Sequence, residues 1–553
     1  MQIASIKTKN GINIRPNNLT IVIGANDTVK STFIREIYIR ATNIPIDPSY
    51  RWRWIDAIEL LVKDEHIAEC RDILKRSIIS KFDGKKDTYT YLLADWRNDQ
   101  GNPAGGNQTN VTINDYAAIS RISPIDLANH KQFRTPFFIY AGCESRLMIN
   151  SPSGLAPIHD RAPDVLNIFY RREDLFKELT DSIDERFNYN LILLNHAGTQ
   201  LELGTSSIQK PDLGNVGDKN EVYRRTEEWK KLYFTPIQES GHGLRSMIRI
   251  LEALLDTDKK IKLIDEPEMH LHPSQKLWIG GKIAELSTDE NSQTIVATHD
   301  AHVLQGILDK RPKATILRFA SANGKRAIYQ WLLPQEPNPT TDTFRTDFLS
   351  GLFHNYSVAV EGESDRLFYN EMMQDCPELK NLDVAFVPCR GGGGTLNMAR
   401  LVTAVNQPSS FILDLDVIFE APNVIRNIIN AVSNAQELPK LTKIELLMQQ
   451  LRNEKPDEKW KSLISYTNKG GPGECFIADH GDLLLSTLNE LAGYGVFLVP
   501  NGGLESWAPA LKNTIRFPEM APGHIRSKAN LHTSIKEFLQ GIGQFLTKSE
   551  SRQ

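Results

Sequence analysis

Cysteine and long apolar runs are both scarce in this sequence. The five cysteines are scattered and form no C-x-x-C pair, which disfavours a disulfide framework as well as a zinc ribbon. No stretch approaches the roughly 18 uncharged apolar residues of a membrane span, and the opening MQIASIKTKNGINIRP lacks the apolar core of a signal peptide. We therefore expect a protein of the reducing cytoplasm with no membrane partner.

A large excess of positive charge is also absent. Lysine and arginine total 64 against 68 for aspartate and glutamate, so the formal net charge is −4. No overall basic field therefore indicates nucleic-acid binding, and any such contact must be local. Sustained heptads and internal repeats are missing too, which makes long-armed chromosome-structure proteins a poor match.

The pattern of apolar residues predicts two α/β domains. The chain has 553 residues, which is more than one domain of about 100 to 200 residues. We expect a first α/β domain over 1–335, with a helical and β insertion around 155–235 and a helical segment from Trp52 to about residue 82. The stretch PQEPNPTTDTF marks the boundary. A second, smaller α/β domain follows over 345–553, because short apolar strands again alternate with helical segments.

A phosphate-binding loop follows an apolar strand of the first domain. The string GANDTVKST fits G-x-x-x-x-G-K-[ST] with one departure, Val29 in place of a glycine. In such a loop the lysine reaches the β- and γ-phosphates and the hydroxyl binds Mg²⁺, roles that Lys30 and Ser31 would fill. The branched Val29 stands where backbone and phosphate approach closely, so we expect ATP to bind but to turn over slowly. The expected nucleotide-binding residues of the loop are Gly24, Asn26, Lys30, Ser31 and Thr32.

Three further strings supply the remaining groups of a nucleotide site. IKLIDEPEMHLHP ends a strand in Asp265, placed to hold Mg²⁺, and in Glu266, placed to orient or deprotonate the attacking water. IVATHD ends another strand in His299, which suits a γ-phosphate sensor. ESGHGLRSM places Ser240 and Gly241 at the start of a helix, where a hydroxyl and N–H groups can grip a phosphate held by a second subunit.

Taken in chain order, these four strings resemble the ATP-binding-cassette ATPases of the DNA-repair type, including the LIDEPE-x-x-LHP form of the acidic motif. In that family two heads sandwich ATP, and each supplies its signature loop to the phosphate loop of the other. The resemblance therefore implies a homodimer or higher homo-oligomer, with the insertion around 155–235 as the dimerisation segment. His270 and His272, which follow the acidic strand, are predicted to be structural rather than metal ligands.

Carboxylates recur at three strand ends of the second domain. In a D-x-D string at a strand end, alternate side chains share one face, so both carboxylates converge at the carboxyl edge of a parallel sheet. Oxygen ligands of this kind select Mg²⁺ or Mn²⁺, and two such ions stabilise both the attacking and the leaving oxygen of a phosphodiester displacement. The acids are Glu361, Glu363 and Asp365 in SVAVEGESD, Asp414 and Asp416 in FILDLDV, and Glu505 in VFLVPNGGLESWAP.

E-G-x-x-D followed by D-x-D resembles the Toprim fold of topoisomerases, primases and related nucleases. The glutamate after V-P-x-G-x-L narrows the resemblance to the OLD (overcoming lysogenization defect) nucleases, which fuse these two domain types in this order. By this resemblance the metal ligands are Glu361, Asp365, Asp414, Asp416 and Glu505, and all of these except Asp365 are also catalytic. Lys528, in HIRSKANLH, corresponds to a late basic residue that stabilises the transition state. The turn RGGGGTLNM either lets backbone approach a phosphate or is a plain flexible loop.

The resemblance implies an ATP-regulated, Mg²⁺- or Mn²⁺-dependent DNA endonuclease that acts in defence against bacteriophage. Its implied partners are DNA and, as for effectors of Gabija and retron systems, a companion helicase or a reverse transcriptase with its RNA–DNA product. The alternative from another class is a non-nucleolytic ATP-dependent DNA clamp of DNA-repair type, which uncompensated carboxylates facing phosphates disfavour. A primase would usually carry a cysteine-rich zinc module, and a topoisomerase needs a cleavage tyrosine in an additional domain.

Overall fold

The structure is a computed structural model, and a defined part of the chain is described. The described residues are 1–25, 29–42, 51–76, 78–81, 88–92, 108–112, 122–129, 134–142, 147, 149, 151–155, 165–187, 189–196, 199–209, 219–310, 312–322, 325–333, 346–415, 417–433, 446, 449, 453, 481–499, 503–504 and 533–550. Four predicted site residues, Asn26, Asp416, Glu505 and Lys528, lie outside them.

The strands of the described residues are numbered in chain order. They are β1 Gln2–Thr8, β2 Asn13–Ile14, β3 Leu19–Gly24, β4 Ile55–Leu61, β5 Ile78–Lys81, β6 Thr88–Leu92, β7 Gln108–Thr112, β8 Phe138–Ala141, β9 Ser153–Gly154, β10 Asn190–His196, β11 Gln200–Ser206, β12 Thr235–Pro236, β13 Ile261–Asp265, β14 Gln293–Ala297, β15 Ala314–Ala322, β16 Lys325–Leu332, β17 Tyr356–Val360, β18 Val384–Pro388, β19 Ser409–Leu413 and β20 Val496–Leu498.

The α-helices are numbered in the same way. They are α1 Lys30–Ala41, α2 Ile67–Arg76, α3 Pro124–Asn129, α4 Val165–Arg171, α5 Glu173–Phe187, α6 Lys219–Tyr233, α7 His242–Leu255, α8 Pro273–Leu286, α9 Ala301–Asp309, α10 Thr346–Gly351, α11 Glu363–Met373, α12 Pro377–Lys380, α13 Gly392–Ala404, α14 Val417–Glu420, α15 Pro422–Ser433, α16 Gly481–Ala492 and α17 Thr533–Glu550.

Sheet order follows the predicted alternation of strands and helices. A six-stranded sheet has the order β16-β15-β3-β14-β13-β8, and a four-stranded sheet has the order β18-β17-β19-β20. The pairs β3–β14, β14–β13 and β13–β8 are parallel, as are all pairs of the four-stranded sheet. Three smaller sheets have the orders β2-β1-β4, β5-β6-β7 and β10-β11-β12, the last with β9 added to β11. The predicted α/β fold class is therefore confirmed.

Packing divides the chain into two compact units. The first comprises residues 1–22 and 29–317, and the second comprises 23–28 and 318–553. In the first unit β13 and β14 are buried along their whole length, as their apolar strings IKLID and QTIVA require of strands covered on both faces. Parallel register sets Asp265 opposite Ala297. The residues that follow these two strands therefore meet at one edge of the sheet.

The segment from Trp52 to about residue 82 was expected to be helical, and this prediction is wrong in its first and last parts, since Ile78–Lys81 forms the strand β5. Ile55–Leu61 forms β4, which pairs antiparallel with β1, and only Ile67–Arg76 forms an α-helix. Glu36 of α1 accepts hydrogen bonds from the backbone N–H groups of Arg53, Trp54 and Ile55. Pairing with distant residues has therefore overridden the helical preference of the local sequence.

The insertion of the first unit contains the predicted helices and hairpin. Helices α4 and α5 precede β10 and β11, which pair antiparallel from Asn190 opposite Ser206 to His196 opposite Gln200. Trp229 and Phe234, from the end of α6 and the residue after it, pack with buried side chains of β10. The exposed part of α6 carries ion pairs, such as that of Arg224 with Glu221 at 3.0 Å.

The second unit encloses its parallel sheet with helices. Ile535, Leu539, Ile542 and Leu546 of α17 are buried in one cluster with side chains of β17 and β20, and their spacing places them on one helical face. Arg318 of β15 is fully buried and donates to the carbonyl oxygens of Asn406 and Asn355 at 3.1 and 3.2 Å. Burial lowers the pKa of Arg318 to about 10. Across the described part of the chain, no helix combines the length and apolarity required to cross a membrane.

Candidate functional site: a nucleotide site and an acidic sheet edge

The phosphate loop connects a buried strand to the start of a helix. Gly24 ends β3 with φ 141°, and a Cβ at this position would overlap the carbonyl oxygen of Phe319, so only glycine fits. Val29 is the N-cap of α1, and Lys30, which is 7% exposed, begins the helix. Among the described residues no side chain caps α1, and its first turn contains no acid. A helix start of this kind suits a phosphate group.

Val29 has a backbone conformation that is rare for its residue type. Its φ of 62° and ψ of 38° lie in the left-handed region, where Cβ crowds the backbone of an L-residue and glycine is usual. An N-cap residue normally has extended backbone angles. Val29 thus replaces the glycine of the motif at a position whose backbone conformation favours glycine.

Strand β13 ends beside α1, the helix that follows the phosphate loop, and its last residue accepts a hydrogen bond from a tyrosine. Asp265, the last residue of β13, is 4% exposed, and the Tyr140 hydroxyl of β8 donates to its Oδ2 at 3.2 Å. The Tyr140 ring stacks on Tyr38 of α1, with ring centroids 5.7 Å apart. Tyr140 could not be singled out from the sequence, because its role depends on β8 lying next to β13 in the sheet.

Glu266 and His299 are brought together by the parallel register of β13 and β14. The N–H of Glu266 donates to the carbonyl of Ala297 at 2.8 Å, and its Oε1 lies 3.7 Å from Nδ1 of His299. A second glutamate is closer, since Oε1 of Glu268 lies 3.0 Å from the same nitrogen. The pKa of His299 is raised, chiefly by its hydrogen bond to Glu268, against the opposing effect of burial.

The predicted signature residues precede a long buried helix. Gly241 is the N-cap of α7 and Ser240 stands just before it, and a Cβ on Gly241 would meet no atom within 4 Å. This start of α7 packs against the loop after β13. The rings of His242 and His270 form an edge-to-face pair with centroids 5.1 Å apart, and a Cβ on Gly243 would lie 2.7 Å from the His270 carbonyl oxygen.

His272 has a different role from His270, because it caps a helix. It is the N-cap of α8, and its backbone N–H donates to Oε1 of Gln275 at 3.0 Å. His270 thus makes a packing contact and His272 a capping contact, and their structural roles stay predictions. Within the described ranges no group of three or more His, Cys, Asp or Glu side chains is arranged to hold a metal ion.

Two predicted metal ligands meet at the carboxyl edge of the second unit's sheet. Glu361 follows β17 and Asp414 follows β19, its parallel neighbour. Oε1 of Glu361 accepts a hydrogen bond from the backbone N–H of Asp414 at 2.9 Å. A Cβ on Gly503 would lie 2.9 Å from Oδ2 of Asp414, so Gly503, two residues before Glu505 in the chain, lies at the same edge. Asp416 and Glu505 themselves lie outside the described residues.

The other two acids of this edge make local contacts. Oδ2 of Asp365 accepts from the N–H of Gly362 at 2.9 Å and so satisfies one backbone donor at the start of α11. Glu363 pairs with Arg366 one turn later, where Nε donates to Oε1 at 2.8 Å. This pairing raises the pKa of Arg366. Arg366 was not singled out from the sequence, although its spacing of three residues from Glu363 on a helix is a recognisable signal.

The glycine-rich turn lies at this edge as well. Gly391, with φ 92°, donates its N–H to the Glu361 carbonyl at 3.1 Å, and α13 begins at the next residue. Arg390 also has a positive φ, of 57°. A Cβ on Gly394 would overlap the carbonyl of Cys389, whereas one on Gly393 would meet nothing within 4 Å. The turn beside Glu361 therefore contains a glycine that close packing requires, Gly394, and glycines with open space next to the backbone, such as Gly393.

Comparison with known proteins assigns a domain type to each unit. Residues 164–304 match the AAA ATPase domain family, and residues 352–416 match the family described as overcoming lysogenization defect protein-like, TOPRIM domain. The OLD nuclease of Thermus scotoductus is 25% identical over 198 residues, which cover 33% of this chain and 36% of that relative. The match thus spans about a third of the relative's length.

Solved structures show only a distant likeness. A structure of an SMC head bound to the C-winged helix domain of ScpA has a TM-score of 0.37 and 14% identity, covering 61% of this chain and 99% of that chain. The SMC head domain from Thermotoga maritima has a TM-score of 0.29 and 13% identity, covering 59% and 98%. Neither likeness is close enough to carry an argument. By its domain matches and their order, the chain combines an AAA-type ATPase domain with a C-terminal OLD-like TOPRIM domain.

Proposed function

We propose that this chain is an ATP-regulated, divalent-metal-dependent DNA endonuclease of the OLD type that acts in defence against bacteriophage. The observation that carries the proposal is the juxtaposition of Glu361 and Asp414 at the carboxyl edge of a parallel sheet, in the domain that matches OLD-like TOPRIM domains. Because the Glu361 carboxylate accepts the backbone N–H of Asp414, the two acids are neighbours, and carboxylates that approach each other repel unless a cation or a proton compensates them. Mg²⁺ or Mn²⁺ would do so, because both ions prefer oxygen ligands.

The residues of this edge would divide the work of phosphodiester hydrolysis. Glu361 and Asp414, with Asp416 and Glu505, would hold the metal ions, which supply charge stabilisation to the attacking and leaving oxygens. Asp365 would support them as a further carboxylate at the start of α11, and Lys528 would neutralise charge that develops on the phosphate. The open backbone of Gly391 and Gly393 would allow a DNA strand to approach Glu361 closely.

The nucleotide site has a donor set that fits Mg²⁺ and ATP. The Lys30 ammonium would neutralise the β- and γ-phosphates, while the Ser31 hydroxyl and the Asp265 carboxylate would hold Mg²⁺. Glu266 would orient the attacking water, and His299 would contact the γ-phosphate. Gly24, Asn26 and Thr32 would complete the loop around the nucleotide. Ser240 and Gly241 would grip the ATP bound by a second copy of the chain, which makes a homodimer or higher homo-oligomer part of the proposal.

The test is DNA cleavage by the purified full chain. Supercoiled and linear DNA are incubated with Mg²⁺ or Mn²⁺, with and without ATP. We expect cleavage by the wild-type protein and none by Glu361→Ala or Asp414→Ala, each of which removes a metal ligand while leaving the ATPase domain's residues unchanged. The matched control is Asp375→Ala, an exposed acid just after α11, which should cleave like the wild type.

Two outcomes would contradict the proposal. Cleavage near the wild-type rate by either ligand variant would remove the nuclease assignment from this edge. ATP-dependent DNA binding without cleavage under either metal would favour the non-nucleolytic clamp instead. ATP binding measured in the same variants shows whether a loss of cleavage comes from a folding defect, since nucleotide affinity should stay at the wild-type value.

A further inference from the structure

Glu268 is the most deeply buried charged group in contact with the proposed γ-phosphate sensor. Its side chain is only 2% exposed, compared with 36% for the side chain of His299. Its Oε2 accepts a hydrogen bond from the Thr298 hydroxyl at 2.8 Å, and its Oε1 accepts one from the backbone N–H of His299, also at 2.8 Å. The same Oε1 lies 3.0 Å from the ring nitrogen Nδ1 of His299. One carboxylate thus holds both the backbone and the ring of one residue.

These contacts determine which ring nitrogen of His299 faces the nucleotide site. Nδ1 is turned towards Glu268, so the other nitrogen, Nε2, has no hydrogen-bond partner among the residues that the structure describes. In histidines that act at metal or catalytic sites, a carboxylate behind one ring nitrogen commonly fixes the tautomer and orientation of the other. Glu266, whose Oε1 is 3.7 Å from Nδ1, is too distant for that hydrogen bond.

We propose that Glu268 is a positioning residue for ATP hydrolysis, which holds the His299 ring so that Nε2 points at the γ-phosphate. The inference rests on the proposed nucleotide function and adds a residue to it. The second glutamate of DEPE then does a different task from the first: Glu266 acts on the water and Glu268 acts through His299. The negative charge of Glu268 also favours a proton on the ring, and this would make Nε2–H a donor to a phosphate oxygen.

A purely structural role makes a different prediction. The bonds to Thr298 and to the His299 backbone connect the loop after β13 to the end of β14, and a glutamine can keep both contacts. Its amide oxygen can accept the His299 N–H, and its amide N–H can donate to the Thr298 hydroxyl oxygen. Glu268→Gln therefore keeps the shape of the side chain and both contacts, with the direction of the Thr298 bond reversed, and removes the charge. If Glu268 is structural, this variant should behave like the wild type in any assay of turnover.

Steady-state kinetics separate the two roles. We expect Glu268→Gln to lower kcat for Mg²⁺-ATP by about tenfold or more, as for loss of an interaction made in the transition state, with KM changed less than about twofold. His299→Ala should lower kcat at least as much. In the double variant, Glu268→Gln should add no further loss, because a residue that acts through His299 has no effect once the ring is gone. Glu252→Gln, at a buried glutamate of α7 paired with Arg249, is the matched control and should keep kcat.

A measurement that needs no turnover tests the ring directly. In protein labelled with ¹⁵N-histidine, the Nδ1–H of His299 should give a downfield proton signal that is absent from His299→Ala. Glu268→Gln should move this signal upfield, and Glu252→Gln should leave it in place. If the wild-type protein failed to hydrolyse ATP, the proposed function would lose its ATPase half while the signal would still report on Glu268. The inference is overturned if Glu268→Gln leaves the ring signal unchanged, or if it lowers kcat equally with and without His299.

Discussion

Replacing Val29 with glycine should relieve strain at the start of the phosphate loop's helix. Val29 has φ 62° and ψ 38°, and its carbonyl accepts the N–H of Phe33 at 3.2 Å as the first hydrogen bond of α1. A left-handed conformation costs an L-residue roughly 1–2 kcal/mol, and glycine escapes this cost. Glycine in turn loses about 0.5–1 kcal/mol more conformational entropy on folding. The net gain for Val29→Gly is therefore about 0–1.5 kcal/mol.

The consequence for turnover depends on when the strain is present. If the loop keeps this conformation with and without nucleotide, the gain appears only in the free energy of unfolding, since a ligand senses only the difference between states. If the loop relaxes when nucleotide leaves, the same gain appears in binding and turnover, where 1.4 kcal/mol corresponds to about tenfold. We expect ATP to bind to the wild-type chain but to turn over slowly, and Val29→Gly to raise the ATPase rate several-fold.

Two further variants distinguish backbone strain from side-chain bulk. Val29→Asn keeps a side chain of similar size, but asparagine tolerates the left-handed region. Val29→Ala removes the branch but keeps Cβ. Strain predicts a faster rate for the glycine and asparagine variants, whereas bulk against the phosphate predicts a faster rate for the glycine and alanine variants. Lys30→Ala serves as the reference for lost ATP binding, because it removes the main cation on the β- and γ-phosphates.

Steady-state ATPase rates and thermal unfolding of the five proteins decide the matter. The reasoning about Val29 is refuted if wild-type turnover equals or exceeds that of Val29→Gly and the two proteins also unfold at the same temperature. Val29 would then be an accommodated substitution without consequence for the nucleotide cycle. A rise in stability with unchanged turnover would instead show that the strain is present in both nucleotide states.

Two other properties of the ATPase domain can be tested independently. Burial lowers the pKa of Lys262 in β13 to about 8. Between about pH 8 and the usual pKa of lysine, the unfolded chain therefore binds more protons than the folded chain, and the free energy of unfolding should rise with pH. Below about pH 8 Lys262 is protonated in both states, and this rise should vanish. In urea unfolding from pH 7 to 10, Lys262→Met should lack this rise, and identical pH dependence in both proteins would contradict the assignment. Light scattering should give an oligomeric mass in the presence of ATP, because Ser240 and Gly241 act on the ATP of a second copy; a monomer with and without ATP would rule this out.

The succession of strands along the chain and the residues at their ends could be predicted because both follow from local sequence. Buried parallel strands leave continuous apolar strings such as IKLID, and polar residues directly after them must lie at the carboxyl edge of the sheet. In the structure Glu266 lies 3.7 Å from His299, and Glu361 accepts a hydrogen bond from the Asp414 N–H, as this reasoning leads one to expect. It required only the strand pattern and the rule that parallel neighbours end on the same side.

Contacts that depend on the order of strands across the sheet could not be predicted. The local sequence does not show that Tyr140 lies next to Asp265, since β8 and β13 are separated by more than a hundred residues. The strand Ile55–Leu61 was mistaken for part of a helix because its pairing with β1 is invisible in the local pattern. Glu268 was passed over for the same reason, as its partners Thr298 and His299 come from a different strand end.

Backbone strain connects these observations, because it occurs in the elements that build the nucleotide site. Val29, Glu266 and His270 have φ values of 62°, 48° and 67°, and such conformations cost of order 1–3 kcal/mol each in residues other than glycine. Neighbouring contacts maintain them: Ala297 accepts the Glu266 N–H, and the His242 ring packs on His270. None of the three residues favours this conformation by itself. Their backbones are therefore set by the site that they form, which is why the local sequence predicts the loops but not their geometry.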